Sequence, residues 1–113
     1  MHELSLTENL VRVLQEQSVA QNFERVLSVH LEIGALSTLE PGSLEFCFEI
    51  VARGTIAENA KLEILRTPGV AICRKCNTRN ELCAYGEACK QCESFELEVI
   101  AGKDMTIKNV EVV

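Results

Sequence analysis

The sequence predicts an α/β protein of the α+β type, with two helices on a three-stranded sheet and a four-cysteine module inserted before the last strand. Three observations carry that expectation. Two stretches have helical apolar spacing, three alternate as strands do, and five of the six cysteines crowd between Cys73 and Cys92 with turn residues on either side. At 113 residues the chain has the length of one small domain carrying a smaller insert.

From Leu4 to Ala20, Leu6, Leu10, Val13 and Leu14 fall on one helical face, while Glu8, Arg12, Glu16 and Gln17 fall on the other. Ser5 and Glu8 match a capping box, which places Met1 to Glu3 ahead of the helix. Arg25 to Ile33 alternates as a half-buried strand and stops at Gly34. In the second helix Pro41 fits the first position, Glu40 falls at or near the N-cap, and Leu44, Cys47, Phe48 and Val51 form the buried stripe, with Gly54 as the stop. Cys47 is expected in the core. Lys61 to Arg66 and Met105 to Val113 supply the other two strands. The breaks Thr67-Pro68-Gly69 and Ala101-Gly102 bracket the insert, which contains a β-like run from Phe95 to Ile100. The expected domains are therefore 1–68 with 103–113, and 69–102.

The net charge is −6. Counting residues 70–103, Arg74, Lys75, Arg79, Lys90 and Lys103 balance Glu81, Glu87, Glu93, Glu96 and Glu98, so the acidity belongs to the rest of the chain. An acidic body argues against a nucleic-acid partner, because binding to a phosphate backbone draws on clustered Lys and Arg. No apolar run approaches the roughly 18 residues of a membrane span. The start lacks a secretory pattern, so a reducing, cytoplasmic setting is expected, where paired cysteines favour metal over disulfide.

Cys73, Cys76, Cys89 and Cys92 have the spacing C-x2-C-x12-C-x2-C, which suits a tetrahedral four-thiolate Zn²⁺ site. Such a closed shell stabilises a fold, and in small zinc peptides it is worth about 10–16 kcal/mol. Cys83 lies between the pairs, as an alternative ligand or reactive thiol or as a bystander. His30 reads as a solvated side chain on the outer face of its strand. His2 stands where the α-amine of Met1, its own amide nitrogen and its imidazole Nδ1 can close adjoining chelate rings, with the amide of Glu3 as a fourth donor. That donor set favours square-planar Ni²⁺ or Cu²⁺. The alternative is an unstructured terminus without metal.

The start M-H-E-L-S-L, the run H-L-E-I-G-A-L-S, the helix S-L-E-F-C-F-E-I-V-A-R-G-T, the two C-x2-C pairs and the tail I-K-N-V-E-V together resemble the HypA/HybF family of hydrogenase-maturation nickel metallochaperones. The resemblance spans essentially the whole chain. It implies a nickel-binding domain with an inserted zinc domain, and Ni²⁺ bound by the Met1 amine, His2 and Glu3. It also implies a carrier without enzymatic activity that works with the HypB GTPase to supply the large subunit of [NiFe]-hydrogenase. Urease maturation proteins as partners, and a homodimer, stay open. Some members carry an Asp at the position of Glu40, where the carboxylate here is one methylene longer and serves equally well as a helix cap. The second pair, Cys89-Lys90-Gln91-Cys92-Glu93, lacks the proline and small residue common in the family, which bears on the stiffness of that turn. The competing readings are a zinc-ribbon module that docks protein or nucleic acid without carrying nickel, and a dithiol oxidoreductase.

Overall fold

The computed structural model describes residues 2–113, and for His2 only its place in the first helix. The elements in order are α1 (His2–Gln21), β1 (Val26–Gly34), α2 (Pro41–Ala52), β2 (Lys61–Thr67), β3 (Gly69–Cys73), β4 (Arg79–Leu82), β5 (Leu97–Ala101) and β6 (Met105–Val112). They form two three-stranded sheets, ordered β2-β1-β6 and β4-β3-β5. The chain divides into two compact units. One comprises Met1–Leu31, Leu39–Ile64 and Ile107–Val113; the other comprises Glu32–Thr38 and Leu65–Thr106.

In the first unit the apolar stripes do as their spacing requires. Leu10, Val11 and Leu14 of α1 are buried, as are Leu44, Phe48 and Ala52 of α2 and Val26, Val29 and Leu31 of β1. The polar face of α1 carries the exposed ion pair Arg12–Glu16, 3.1 Å apart. Two expectations fail here. Helix α1 begins at His2, so Ser5 and Glu8 lie inside it and form no capping box. The first turn is tied by the buried Thr7, whose hydroxyl bonds the carbonyls of Glu3 (3.0 Å) and Leu4 (2.9 Å). Cys47 is only half-buried, and its neighbour Phe46 is 65% exposed, because Leu44, Phe48 and Ala52 already fill the inward stripe. β1 is the central strand of its sheet and buries Ser28 as well as its apolar face. The Ser28 hydroxyl bonds the carboxylate of Glu111 and lies 3.3 Å from His30 Nε2, so His30 is partnered rather than simply solvated.

Helix α2 is capped as its sequence requires. Glu40 adopts extended backbone angles and accepts the Gly42 N–H, Pro41 opens the first turn, and Gly54 follows with φ +75°.

In the second unit β3 is central, antiparallel to both β4 and β5, with a register shift between Val70 and Ala71 on the β5 side. Its core is small: Leu36, Ala71 and Leu82, with Leu97 and Val99 against them. Three glycines that read as punctuation prove to be packing positions. A Cβ on Gly34 would fall 2.0 Å from the Gly102 carbonyl oxygen, one on Gly102 2.3 Å from Gly69 Cα, and one on Gly69 2.5 Å from Leu36 Cδ1. That close approach lets the Leu36 N–H reach the Gly102 carbonyl at 2.9 Å.

Candidate metal centre

Cys73 ends β3, Cys76 closes the turn after it, and Cys89 and Cys92 stand on a second turn ahead of β5. The two turns are built alike. In each, the first cysteine's carbonyl accepts the N–H of the residue four positions on: Asn77 at 2.8 Å and Glu93 at 2.9 Å. In each, its sulfur accepts the N–H two positions on: Lys75 and Gln91, both at 3.4 Å. In each, the residue after the second cysteine takes positive φ, Asn77 at 62° and Glu93 at 64°. Asparagine tolerates that conformation, whereas glutamate adopts it at a cost of about 1 kcal/mol because its Cβ crowds the carbonyl.

The turns bring all four sulfurs within 4.8 Å of one another. Cys73 and Cys92 are 3.5 Å apart, and Cys76 and Cys89 3.6 Å. A disulfide requires about 2.05 Å, while a tetrahedron with Zn–S bonds of about 2.3 Å has edges of about 3.8 Å. The donor set therefore fits zinc. Cys73 and Cys89 are buried, and Cys83 is exposed outside the cluster.

The electrostatics of the cluster also call for a cation. The Cys92 amide, the Asn80 side chain and the Gln91 amide outweigh burial and hold the Cys89 thiol down to about 6. Cys76 is lowered by the Thr78 hydroxyl and then by the Thr78 amide. Cys92 goes the other way. The Ser94 amide favours its thiolate, but the sulfur of Cys73, burial and the remaining sulfurs push it up to about 12. Four sulfurs at this spacing cannot all ionise alone, and a divalent ion removes that conflict.

The other predicted site is split by the limits of the described residues: Met1 and the side chain of His2 lie outside them. Glu3 lies in the first turn of α1, and its carboxylate accepts the Glu40 N–H at 3.3 Å. The Glu40 carboxylate in turn accepts the Gly42 N–H at 2.9 and 3.1 Å. The structure thus brings Glu3 to the start of α2 and occupies Glu40 as its cap.

The sequence reading missed β3 and β4, which at five and four residues are too short for clear alternation. It also missed Asn80 and Thr78, whose only signal was their place between the cysteine pairs. Three cations of the second unit are engaged locally: Arg74 pairs with Glu98, Arg79 with Glu81, and Lys90 Nζ with the Glu81 carbonyl. A nucleic-acid interface is not favoured.

Fold and site together define a small α+β metalloprotein with a structural four-thiolate centre. The family model described as "Hydrogenase/urease nickel incorporation, metallochaperone, hypA" matches residues 1–112. The chain belongs to this HypA family of nickel metallochaperones for hydrogenase maturation, and is a carrier rather than an enzyme. It is 48% identical to the hydrogenase maturation factor HypA of Azotobacter chroococcum and 47% identical to that of Azotobacter vinelandii, in each case over 99% of both chains. Two solved structures share its fold. One is the solution structure of HypA protein, with TM-score 0.73 and 23% identity over 100% of this chain and 97% of that one. The other is the Ni metallochaperone HypA from Helicobacter pylori, with TM-score 0.68 and 20% identity over 100% and 98%. Among the described residues no helix is long and apolar enough to cross a membrane.

Proposed function

We propose that the chain captures Ni²⁺ through the Met1 amine, His2 and Glu3, and passes it in the cytoplasm to the large subunit of [NiFe]-hydrogenase, with the HypB GTPase as helper. In this reading 1–68 with 103–113 act as the nickel-binding domain and 69–102 as its zinc-stiffened insert. The observation that carries the proposal is the position of Glu3. Its carboxylate reaches across to the Glu40 N–H at 3.3 Å, so the start of α1 is held beside a second helix N-terminus rather than trailing away. Because α1 begins at His2, the amides of its first turn lack an intrahelical carbonyl to bond, which suits them as nitrogen donors. Glu40 is assigned to the cap, since both its oxygens engage the Gly42 N–H. An open chelate with few ligands can be attacked by an acceptor and dismantled stepwise, as delivery requires.

The test is Ni²⁺ titration of the native chain against a chain extended by one residue before Met1. Extension converts the α-amine to an amide and should reduce affinity at least about tenfold, the loss of one strong donor. Equal affinity in the two would reject the terminal site. The two chains should bind zinc alike, which keeps the nickel result separate from the cysteine cluster.

A further inference from the structure

Besides the cysteines, one deeply buried polar side chain is directed at the cluster. Asn80, 2% exposed, stands on β4 opposite Ala71 of β3. Its Nδ2 donates to the Thr78 carbonyl at 3.1 Å and to Cys89 Sγ at 3.5 Å, and its Oδ1 accepts the Lys90 N–H at 2.9 Å. Reversing the amide would set oxygen against a carbonyl and a sulfur, and an NH₂ group against an N–H, so the surroundings fix its orientation.

These contacts join the two halves of the site. Thr78 belongs to the first turn: its carbonyl accepts the Cys73 N–H at 3.0 Å, and its hydroxyl lies 3.1 Å from Cys76 Sγ. Lys90 and Cys89 belong to the second. From this geometry we infer that Asn80 is a positioning residue for the metal, locking the second C-x-x-C turn onto the first and supplying a side-chain donor that offsets charge on the Cys89 sulfur. The inference rests on the cluster holding zinc. The second turn needs such a tie more than the first. Its Glu93 sits in the left-handed region, which a glutamate adopts less readily than the Asn77 at the same place in the first turn. An uncharged amide that donates to sulfur and accepts from backbone at once can be replaced by no other side chain of that length.

The experiment uses the full-length chain. Zn²⁺ affinity is measured by competition with a chromophoric chelator for the native protein, Asn80→Asp and Asn80→Leu. Aspartate keeps the acceptor for the Lys90 N–H and the shape, but replaces the donor by a negative charge beside Cys89. Leucine removes donor and acceptor together. Zinc affinity should fall about 10–100-fold in both, the usual consequence of losing a partner of a metal ligand, while the zinc-saturated Asp variant keeps the native circular dichroism spectrum. Aspartate loses both the bond to the Thr78 carbonyl and the donor to Cys89, so an Asn80→Asp affinity within about twofold of native overturns the inference. If neither variant folds, the native chain loaded with ¹¹³Cd decides. A scalar coupling between an Asn80 side-chain amide proton and the cadmium, transmitted through Cys89 Sγ, is expected; its absence where the Lys75 and Gln91 amides do couple overturns the inference. Failure of the native chain to bind Zn²⁺ at all would instead reject the zinc reading itself.

Discussion

Replacing Gly34 by alanine tests whether the glycine contact holds the second unit together. The new Cβ would stand 2.0 Å from the Gly102 oxygen, 2.2 Å from its carbonyl carbon and 2.6 Å from its Cα, where real contacts keep beyond 3.0 Å. All three are backbone atoms, so no side chain can swing aside. The strand must retreat by about 1 Å, yet Gly102 is itself pinned, because its own Cβ position lies 2.3 Å from Gly69 Cα. Retreat also strains the bonds from Leu36 N to Gly102 O (2.9 Å) and from Gly34 N to Asp104 O (3.0 Å). Overpacking costs about 1–3 kcal/mol and the two hydrogen bonds about 1 kcal/mol each. The expected loss is therefore about 3–5 kcal/mol, a large share of a small domain's stability. Urea unfolding of the zinc-loaded full-length chain measures it. Zinc affinity should fall as well, because β3 starts at Gly69 and ends at Cys73. A loss below about 1 kcal/mol with an unchanged denaturant slope would refute the packing argument.

Two further outcomes follow from the capping and the thiols. Glu40→Ala should lower stability in thermal unfolding by about 0.5–2 kcal/mol, the worth of an N-cap, while leaving Ni²⁺ affinity within about twofold; a much larger nickel loss would make Glu40 a ligand instead. Zinc binding should release about one more proton at about pH 5 than at about pH 7.5, read by calorimetry in buffers of different ionisation enthalpy. The sign follows from Cys89: held down to about 6, it is already thiolate at the higher pH and carries a proton at the lower, whereas Cys92, pushed up to about 12, gives up its proton at both. Proton release that does not change between the two would contradict the lowered Cys89.

What could be read from the chain was whatever depends on local periodicity or spacing. Both helices, the three longer strands and the clustering of the four cysteines are of this kind, since Leu10 and Leu14, or Cys73 and Cys76, declare their face by separation alone. The start of α1 was misjudged because a capping box is a local pattern, while the true first turn is held by Thr7 beneath it and by the distant Glu40 amide. Gly34, Gly69 and Gly102 were legible as breaks but not as a contact, because their approach joins positions far apart in sequence. Asn80 was silent for the same reason: nothing in N-T-R-N-E-L says that its amide meets Cys89 nine residues on.

The two metals differ in how tightly the protein must hold them, and the surroundings of the two sites differ accordingly. Around the cysteines most contributions favour retention, the exposed Cys92 being the exception. Buried Cys73 and Cys89, amides aimed at sulfur, and the Asn80 bridge make a closed shell, which a square-planar ion could enter only by bending both turns. The proposed nickel site has the opposite setting. Glu3 lies in the first turn of α1 and bonds the amide of the α2 cap residue, so two helix N-termini, each with partial positive charge, meet there. They stabilise the carboxylates of Glu3 and Glu40 but oppose an added cation. In the proposed chelate Glu3 contributes its amide nitrogen, so its carboxylate can keep the bond to the Glu40 N–H and hold the start of α1 beside the α2 cap while the metal comes and goes. An open site of few ligands facing two opposing dipoles would hold its cation loosely, which a carrier needs and a structural site must avoid.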